Sequence, residues 1–180
     1  MASDIIQLFE THGGEDYISE PLTQTEHMIQ TAMLAEENGE ASEMIMACLL
    51  HDLGHLLEIR NKSSKMGTLG VRDHETVGQD YLLSIGFGQK IANLVGNHVK
   101  AKRYLVAVCK DYGQNLSEAS RQTLQHQGGL MTQSEAAEFR ADPLFKESIR
   151  LRAYDDAAKV GGLKVRDIEY YREMLERHCK

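Results

Sequence analysis

The sequence predicts an all-α fold, and three observations support that prediction. Only two of the 180 residues are prolines, Pro21 and Pro143. Long stretches rich in Ala, Leu, Met, Glu, Lys and Gln have good helix propensity, with little of the alternation typical of strands. The hydrophobic content of 42% and the absence of repeats suit one compact core. We therefore expect a single helical domain over residues 1–180.

The N-terminal part of the chain contains three predicted helices. Residues 4–9 have the apolar spacing of a short amphipathic helix, which should stop near Gly13 and Gly14. A longer helix is expected to begin at Thr23, and another to cover residues 43–57.

The remainder of the chain continues this helical pattern. Residues 61–70 are polar and contain glycine, so they predict a loop long enough to act as a lid or a substrate-facing segment. Residues 72–85 and 88–108 predict helices on either side of a turn at 86–88. Pro143 fits the first turn of a later helix.

Charge and cysteine content exclude several classes of protein. The net charge of −7 argues against nucleic acid or an anionic membrane as a partner. Three cysteines are an odd number without paired metal-ligand spacing, so reduced thiols are expected rather than a disulfide framework. No leader pattern or long apolar span is evident, which predicts a cytoplasmic protein.

The neighbouring residues His51 and Asp52 are the strongest functional signal. They lie in an otherwise apolar run, and such a pair can hold one metal ion through the imidazole and reach a second through the carboxylate. His55 follows one helical turn after His51, so it is expected to face the same cavity.

Further metal-ligand side chains occur far away in the sequence on predicted helices. His27 shares an inward helix face with Thr31 and Leu34. Asp155 continues an apolar stripe, where a carboxylate is costly without a cation. With the pair described above, the complete set predicts a buried dinuclear site: His27, His51, Asp52, His74, His98 and Asp155.

The chemistry of this set leaves the metal open. Imidazoles and carboxylates suit Fe, Mn, Zn or Co. Two aspartates do not neutralise two such ions, so the site would attract an oxyanion despite the acidic chain. The other histidines, His12, His126 and His178, lack comparable context and are interpreted as surface or structural residues.

The order His27, His51-Asp52, Asp155 resembles the H…HD…D signature of the HD-domain superfamily of all-helical metalloproteins. His74 and His98 resemble the additional ligands of its dinuclear members. More specifically, the chain resembles the phosphonate-cleaving HD oxygenases of the PhnZ type, which are related to myo-inositol oxygenase. The matching segments span nearly the whole chain and include Asp16-Tyr17-Ile18-Ser19-Glu20, Leu50-His51-Asp52-Leu53-Gly54-His55, His74-Glu75-Thr76-Val77-Gly78, Gly96-Asn97-His98-Val99-Lys100-Ala101-Lys102-Arg103-Tyr104-Leu105, Leu116-Ser117-Glu118-Ala119-Ser120-Arg121, Gln127-Gly128-Gly129 and Arg152-Ala153-Tyr154-Asp155.

This resemblance implies two iron ions as cofactor, in a mixed-valent Fe(II)/Fe(III) state, with O₂ and a small hydroxyphosphonate as substrates. It assigns His27, His51 and Asp155 to one iron and His74 and His98 to the other. Asp52 would bridge the two irons, and no organic cofactor is implied.

The resemblance also implies roles around the metals. Lys102, Ser120 and His55 would donate hydrogen bonds to phosphonate oxygens. Tyr17 would be a removable iron ligand and, with Asp52, part of the catalytic machinery. Glu20 would meet a substrate ammonium group.

Two substrates remain open on the sequence. They are 2-amino-1-hydroxyethylphosphonate, which would give glycine, and its N-trimethyl analogue, which would give glycine betaine. Residues 66–73 depart from the pattern of the resembling enzymes, because Leu69 and Arg72 stand where aromatic residues are expected.

Two other function classes are also considered. Many HD proteins are metal-dependent phosphohydrolases, and a dinuclear site supports hydrolysis as well as oxidation. The Tyr17 and Glu20 element and the segment Lys100-Ala101-Lys102 favour the oxygenase. A metabolite-sensing module with vestigial metals is disfavoured by the complete ligand set.

Overall fold

Helices make up the regular structure of the computed structural model, which describes residues 1–17, 20–58 and 73–179. Within these ranges the structure has eleven α-helices, one 3₁₀ helix and no β-strand, so the all-α prediction is confirmed. The elements are α1 (Ala2–His12), α2 (Gln24–Glu37), α3 (Ser42–Leu50), α4 (Leu53–Glu58), α5 (His74–Ser84), α6 (Gln89–Val108), α7 (Lys110–Asn115), α8 (Glu118–His126), α9 (Gln133–Ala141), α10 (Phe145–Ala157), the 3₁₀ helix η1 (Ile168–Tyr171) and α11 (Arg172–His178).

The centre of the fold is formed by α2, α3, α6 and α10, which pack against one another. Their buried faces contribute Met28, Leu50, Leu94 and Leu151 to the main hydrophobic core. Helix α5 packs on α4 and α6, while α1 contacts α4 and α11, and α11 also contacts α3. The central helices carry three of the six predicted metal ligands, His27, His98 and Asp155, and α3 leads directly into His51 and Asp52.

Helix α2 begins where the sequence predicts. Thr23 accepts a hydrogen bond from the Glu26 amide, and the Glu26 carboxylate accepts one from the Thr23 amide, which completes a capping box. The His27 amide donates to the Thr23 carbonyl at 3.0 Å. The cap therefore fixes the helical turn that presents His27.

The single helix predicted over residues 43–57 is instead two helices separated at His51 and Asp52. The His51 side chain contacts the Cys48 carbonyl at 2.8 Å, and the His55 amide donates to the Asp52 carbonyl in a tight turn. On a regular helix, adjacent side chains point about 100° apart. The interruption allows both His51 and Asp52 to face the interior.

The turn predicted at residues 86–88 is confirmed, and Gly86 occupies it with a φ of +90°. The predicted lid at residues 61–70 and the unusual residues Leu69 and Arg72 lie outside the described residues. In the part of the chain that the structure describes, no helix combines the length and apolar character that a membrane crossing requires.

Candidate metal centre

The structure brings all six predicted metal ligands together in the interior, in two adjacent groups. In the first group, Nε2 of His27 lies 3.1 Å from Nε2 of His51 and 3.3 Å from Oδ1 of Asp155. Oδ2 of Asp52 lies 3.3 Å from Nε2 of His51 and 3.6 Å from Nε2 of His27. Four ligand atoms therefore converge on one point.

The second group lies on the other side of the same aspartate. Nε2 of His74 lies 3.0 Å from Nε2 of His98, and Oδ1 of Asp52 lies 3.3 Å and 3.5 Å from these two atoms. Asp52 therefore turns a different carboxylate oxygen towards each histidine pair.

Backbone carbonyls orient three of the imidazoles. Nδ1 of His27 lies 2.8 Å from the Ala158 carbonyl oxygen, and Nδ1 of His51 lies 2.8 Å from that of Cys48. Nδ1 of His98 lies 2.7 Å from the Val95 carbonyl oxygen. Because carbonyls only accept, each Nδ1 must carry a proton, and each Nε2 faces the interior as the ring atom that can bind a metal when it is unprotonated.

The short contact between His27 and His51 is evidence for a metal site when Nδ1 carries the ring proton. If both rings are neutral, two lone pairs face each other at 3.1 Å, which is repulsive unless a cation lies between them. Ligands about 2.1 Å from a common ion and at right angles lie about 3.0 Å apart, so the spacing fits a shared ion.

Asp155 provides a second sign that a cation belongs here. Its Oδ2 accepts a hydrogen bond from Arg152 at 2.7 Å, while its buried Oδ1 meets no hydrogen-bond donor among the described residues. A buried carboxylate oxygen without a donor is costly. Nitrogen and oxygen donors without a thiolate fit Fe, Mn, Zn or Co at both groups.

The charged groups of the site shift the pKa values of their neighbours. Burial alone would lower the pKa of His51, but the carboxylates of Asp52 and Asp155 outweigh it and raise that pKa to about 9. Burial would raise the pKa of Asp52, but His51 and His74 hold it well below its usual value. Asp52 is therefore ionised in the folded protein and available as a ligand.

A cavity opens beside the two groups and exposes Asp52 and Asp155 to a prospective substrate. Four of the five predicted substrate-binding residues, Tyr17, His55, Lys102 and Ser120, line it, but Glu20 does not. The full described lining is Tyr17, Asp52, His55, His74, His98, Val99, Lys102, Ala119, Ser120, Thr123, Gln127, Arg152 and Asp155.

Glu20 lies just before α2, half-buried, and its amide donates to the Tyr17 carbonyl at 2.8 Å. Its predicted contact with a substrate ammonium group stays a prediction.

Tyr17 and His55 cover the two histidine pairs from the cavity. The Tyr17 ring stacks on His27 with centroids 4.0 Å apart, and the His55 ring stacks on His74 at the same distance. Burial, followed by the charge of Asp52, raises the pKa of Tyr17 well above its usual value. Burial is the larger cause and the charge of His74 the second, and together they lower the pKa of His55 to about 3, so His55 is neutral.

His55 is also close enough to be a ligand itself. One ligand atom from each of Asp52, His55 and His74 lies within 4.8 Å of the others. The structure therefore gives the second group one more imidazole than the sequence analysis assigned to it.

Lys102 supplies a buried cation beside this cavity. It is 3% exposed, and its Nζ donates to Oγ1 of Thr123 at 3.0 Å. Burial, and after it the charge of Arg152, lowers the pKa of Lys102 to about 7.

Arg152 is a lining residue that the sequence reasoning did not single out. Its guanidinium donates to Asp155, to Asp156, to Oγ of Ser120 at 3.2 Å and to the Tyr112 hydroxyl oxygen at 3.0 Å. The spacing of three residues to Asp155 could have revealed it, because residues i and i+3 share a helix face. Thr123 carried no comparable signal, and Gln127 belonged to a matching segment but was given no role.

Comparisons with known proteins agree with this geometry. The HD domain family matches residues 25–155. An uncharacterised protein of Acanthamoeba polyphaga mimivirus is 53% identical over 95% of this chain and 78% of its own length. A hydroxymethylphosphonate dioxygenase of Gimesia maris is 40% identical over 97% of this chain and 86% of its own. A glycine-betaine-forming [1-hydroxy-2-(trimethylamino)ethyl]phosphonate dioxygenase of Leisingera caerulea is 38% identical over 94% of this chain and 86% of its own.

Proposed function

Since the chain belongs to the HD-domain family and is an oxygenase of its phosphonate-cleaving group, we propose that it uses O₂ to cleave the C–P bond of a small 1-hydroxyphosphonate. One observation carries the proposal. Asp52 stands between two histidine pairs, and the cavity that reaches it is lined by cationic and hydroxyl donors.

The substrate's oxyanion would bind on the side of the cavity formed by Lys102, Ser120 and Arg152. A buried lysine and a buried guanidinium favour a multiply charged oxyanion such as a phosphonate, which can accept several charge-assisted hydrogen bonds. This local charge offsets the acidity of the whole chain. The neutral His55 can donate one further hydrogen bond from its ring.

The proposed cofactor is a pair of iron ions, one Fe(II) and one Fe(III). One ion would be held by His27, His51 and Asp155. The other would be held by His74 and His98, and Asp52 would contribute to both. When bound, the pair supplies the redox chemistry that activates O₂. Tyr17 is proposed to cover the substrate side of the first group and to leave it when substrate enters, consistent with its ring lying on His27.

The overall reaction balances without another reductant. A hydroxyphosphonate R–CH(OH)–PO₃²⁻ and O₂ give R–COOH and HPO₄²⁻, and the substrate carbon supplies all four electrons that O₂ takes up. The protein's own task is to hold the hydroxyl-bearing carbon next to Asp52 and the phosphonate next to Lys102.

The substituent R is the finer part of the proposal. The primary aminoethyl compound and its N-trimethyl analogue are both retained, and the Gimesia relative acts on hydroxymethylphosphonate, which has no amine. If Glu20 meets an ammonium group, Glu20→Ala should weaken turnover of amine-bearing substrates more than that of hydroxymethylphosphonate. Equal effects on both substrate types would refute the role.

The decisive experiment incubates the iron-loaded protein with each hydroxyphosphonate under air and under strict anaerobiosis, and measures phosphate release. Oxidative cleavage requires O₂, so release should stop without it. A phosphohydrolase would instead retain activity on phosphate esters without O₂ and tolerate Mn or Co in place of iron. That result would contradict the proposed oxygenase reaction and support the phosphohydrolase alternative.

A further inference from the structure

The hydroxyl of Ser120 is held by two cations at once. Oγ of Ser120 accepts a hydrogen bond from Nη2 of Arg152 at 3.2 Å and another from Nζ of Lys159 at 3.1 Å. Both partners are donors only, and a hydroxyl has two lone pairs and one hydrogen. With both lone pairs engaged, the Ser120 hydrogen must point in a third direction.

The cavity is where this hydrogen can find an acceptor. Ser120 is buried but lines the cavity, and among the described residues its hydroxyl donates to no acceptor. A buried donor without an acceptor is unfavourable, so the site is built for a ligand that brings one. An ionised oxygen of a phosphonate or phosphate carries no hydrogen, so it can accept this hydrogen bond.

We propose that Lys159 is a positioning residue that fixes the Ser120 hydroxyl as a hydrogen-bond donor to the substrate's oxyanion. The proposal rests on the proposed function, since it concerns how the phosphonate is held. Lys159 was not among the residues singled out from the sequence, and it does not itself line the cavity.

Lys159 differs from Arg152 in how its charge is compensated. The guanidinium of Arg152 contacts the carboxylates of Asp155 and Asp156. Within the described ranges Lys159 has no carboxylate within 4.0 Å, and its ammonium lies 5.9 Å from the centre of the Tyr17 ring. Its positive charge therefore remains available to the cavity.

Lys159 also holds the start of α8. Its Nζ donates to Oγ of Ser117 at 3.0 Å, and the same oxygen accepts the Ser120 amide as the helix N-cap. One ammonium group thus fixes both the backbone turn that carries Ser120 and the direction of its hydroxyl.

The backbone around Lys159 is fixed on both sides. The Ala158 carbonyl contacts Nδ1 of His27 at 2.8 Å. The Gln30 side-chain amide donates to the Val160 carbonyl at 2.9 Å and accepts from its amide at 3.1 Å. Because Gln30 and His27 share α2, the lysine is held at a fixed place relative to the first ligand group.

The test measures binding of inorganic phosphate to the metal-loaded protein by anaerobic calorimetry, which requires no turnover. Lys159→Met keeps the aliphatic stem and removes the donors, and should weaken phosphate binding by about tenfold or more. Lys159→Arg retains donors and should restore most of the affinity. Lys164→Met, at an exposed position, is the matched control and should bind like the native protein.

A double-mutant cycle separates positioning from simple charge. In a Ser120→Ala background, Lys159→Met should cost less than about threefold, because there is no hydroxyl left to orient. Native-like phosphate binding by Lys159→Met, the same loss in both backgrounds, or no phosphate binding by the native protein would overturn the proposal. Metal content and thermal unfolding of each variant show whether it is folded and loaded.

Turnover distinguishes failure of this proposal from failure of the proposed function. In the oxygenase assay, Lys159→Met should raise KM with a smaller change in kcat, as expected for lost ground-state binding. If the native protein cleaves no hydroxyphosphonate, the function fails while the phosphate-binding result still decides the role of Lys159.

Discussion

At the scale of single residues, Asp52 has the most demanding position in the site. Its two oxygens face different histidine pairs at 3.3 Å, so one side chain serves both ligand groups. Its pKa is held well below the usual value, which keeps both oxygens free of a proton. The proposed bridging role would make Asp52 more sensitive to replacement than an aspartate at an exposed position.

We expect Asp52→Ala to lose at least one of two bound ions after iron reconstitution, because each histidine pair loses its shared carboxylate oxygen. Elemental analysis of metal per chain measures this directly. Asp80→Ala, at an exposed position of α5, is the control and should retain the native metal content. Two irons in Asp52→Ala would contradict the bridging assignment.

Lys102 is the residue at which pH should act on substrate binding. Its pKa of about 7 means that the free protein carries this charge below neutral pH and loses it above. An anion beside the Lys102 ammonium favours its charged form and raises its pKa. Above neutral pH, Lys102 must therefore take up a proton when the protein binds the anion.

The expected result is that the affinity advantage of the native protein over Lys102→Met falls by about tenfold or more between about pH 6 and about pH 9. The ratio of the two affinities removes the titration of the phosphonate itself, which both proteins experience equally. Anaerobic calorimetry with hydroxymethylphosphonate measures it. A ratio that stays constant over this range would show that Lys102 does not titrate on binding.

At the scale of elements, the interruption between α3 and α4 organises the site. It lets His51 and Asp52 face inwards together, and it brings Gly54 directly against the start of α5. A Cβ atom at Gly54 would lie 2.0 Å from the His74 carbonyl oxygen and 2.9 Å from its Cα. The missing side chain of Gly54 is therefore what permits His74 to approach Asp52.

Gly54→Ala should lower the free energy of unfolding by about 1–3 kcal/mol through overpacking. It should also reduce metal binding by the second group, because the displaced backbone is that of His74. Chemical denaturation and metal analysis test the two effects. At Gly88 an added Cβ meets nothing within 4 Å, so Gly88→Ala should stay within about 1 kcal/mol of the native protein.

At the scale of the whole molecule, the six candidate metal ligands are polar side chains buried at the centre of the helix packing, where apolar side chains would be expected. Helices α2, α3, α6 and α10 pack around a centre that contains imidazoles and carboxylates with less than 5% exposure. Without cations, their burial costs desolvation, and Nε2 of His27 and Nε2 of His51 face each other at 3.1 Å with no ion between them. The folded state should consequently depend on bound metal.

Removing the metal with a chelator should lower Tm. An ion present at 100 times its Kd stabilises the folded state by about 2.7 kcal/mol, and each kcal/mol shifts Tm by about 2–4 °C in a domain of this size. Anaerobic calorimetric scans before and after chelation, and after iron is returned, measure the change. Asp52→Ala should respond much less, and an unchanged Tm of the native protein would argue against a metal bound in the core.

The sequence by itself determined the helical class, the start of α2 and the six side chains that the structure gathers in the interior. Propensity, capping and side-chain spacing are local properties, so residues such as Thr23 and the pair His51 and Asp52 can be interpreted without neighbours. The resemblance to phosphonate-cleaving oxygenases also rested on motifs written along the chain.

Only the tertiary structure decided how these parts meet. The helix break at His51, the division of the Asp52 oxygens between two pairs and the absence of Glu20 from the described cavity lining all depend on distant segments. The same holds for Lys159, whose contacts with Ser117 and Ser120 cross about forty positions of the chain. The direction of a hydrogen bond depends on which groups the packing brings together, and local sequence patterns do not predict those contacts.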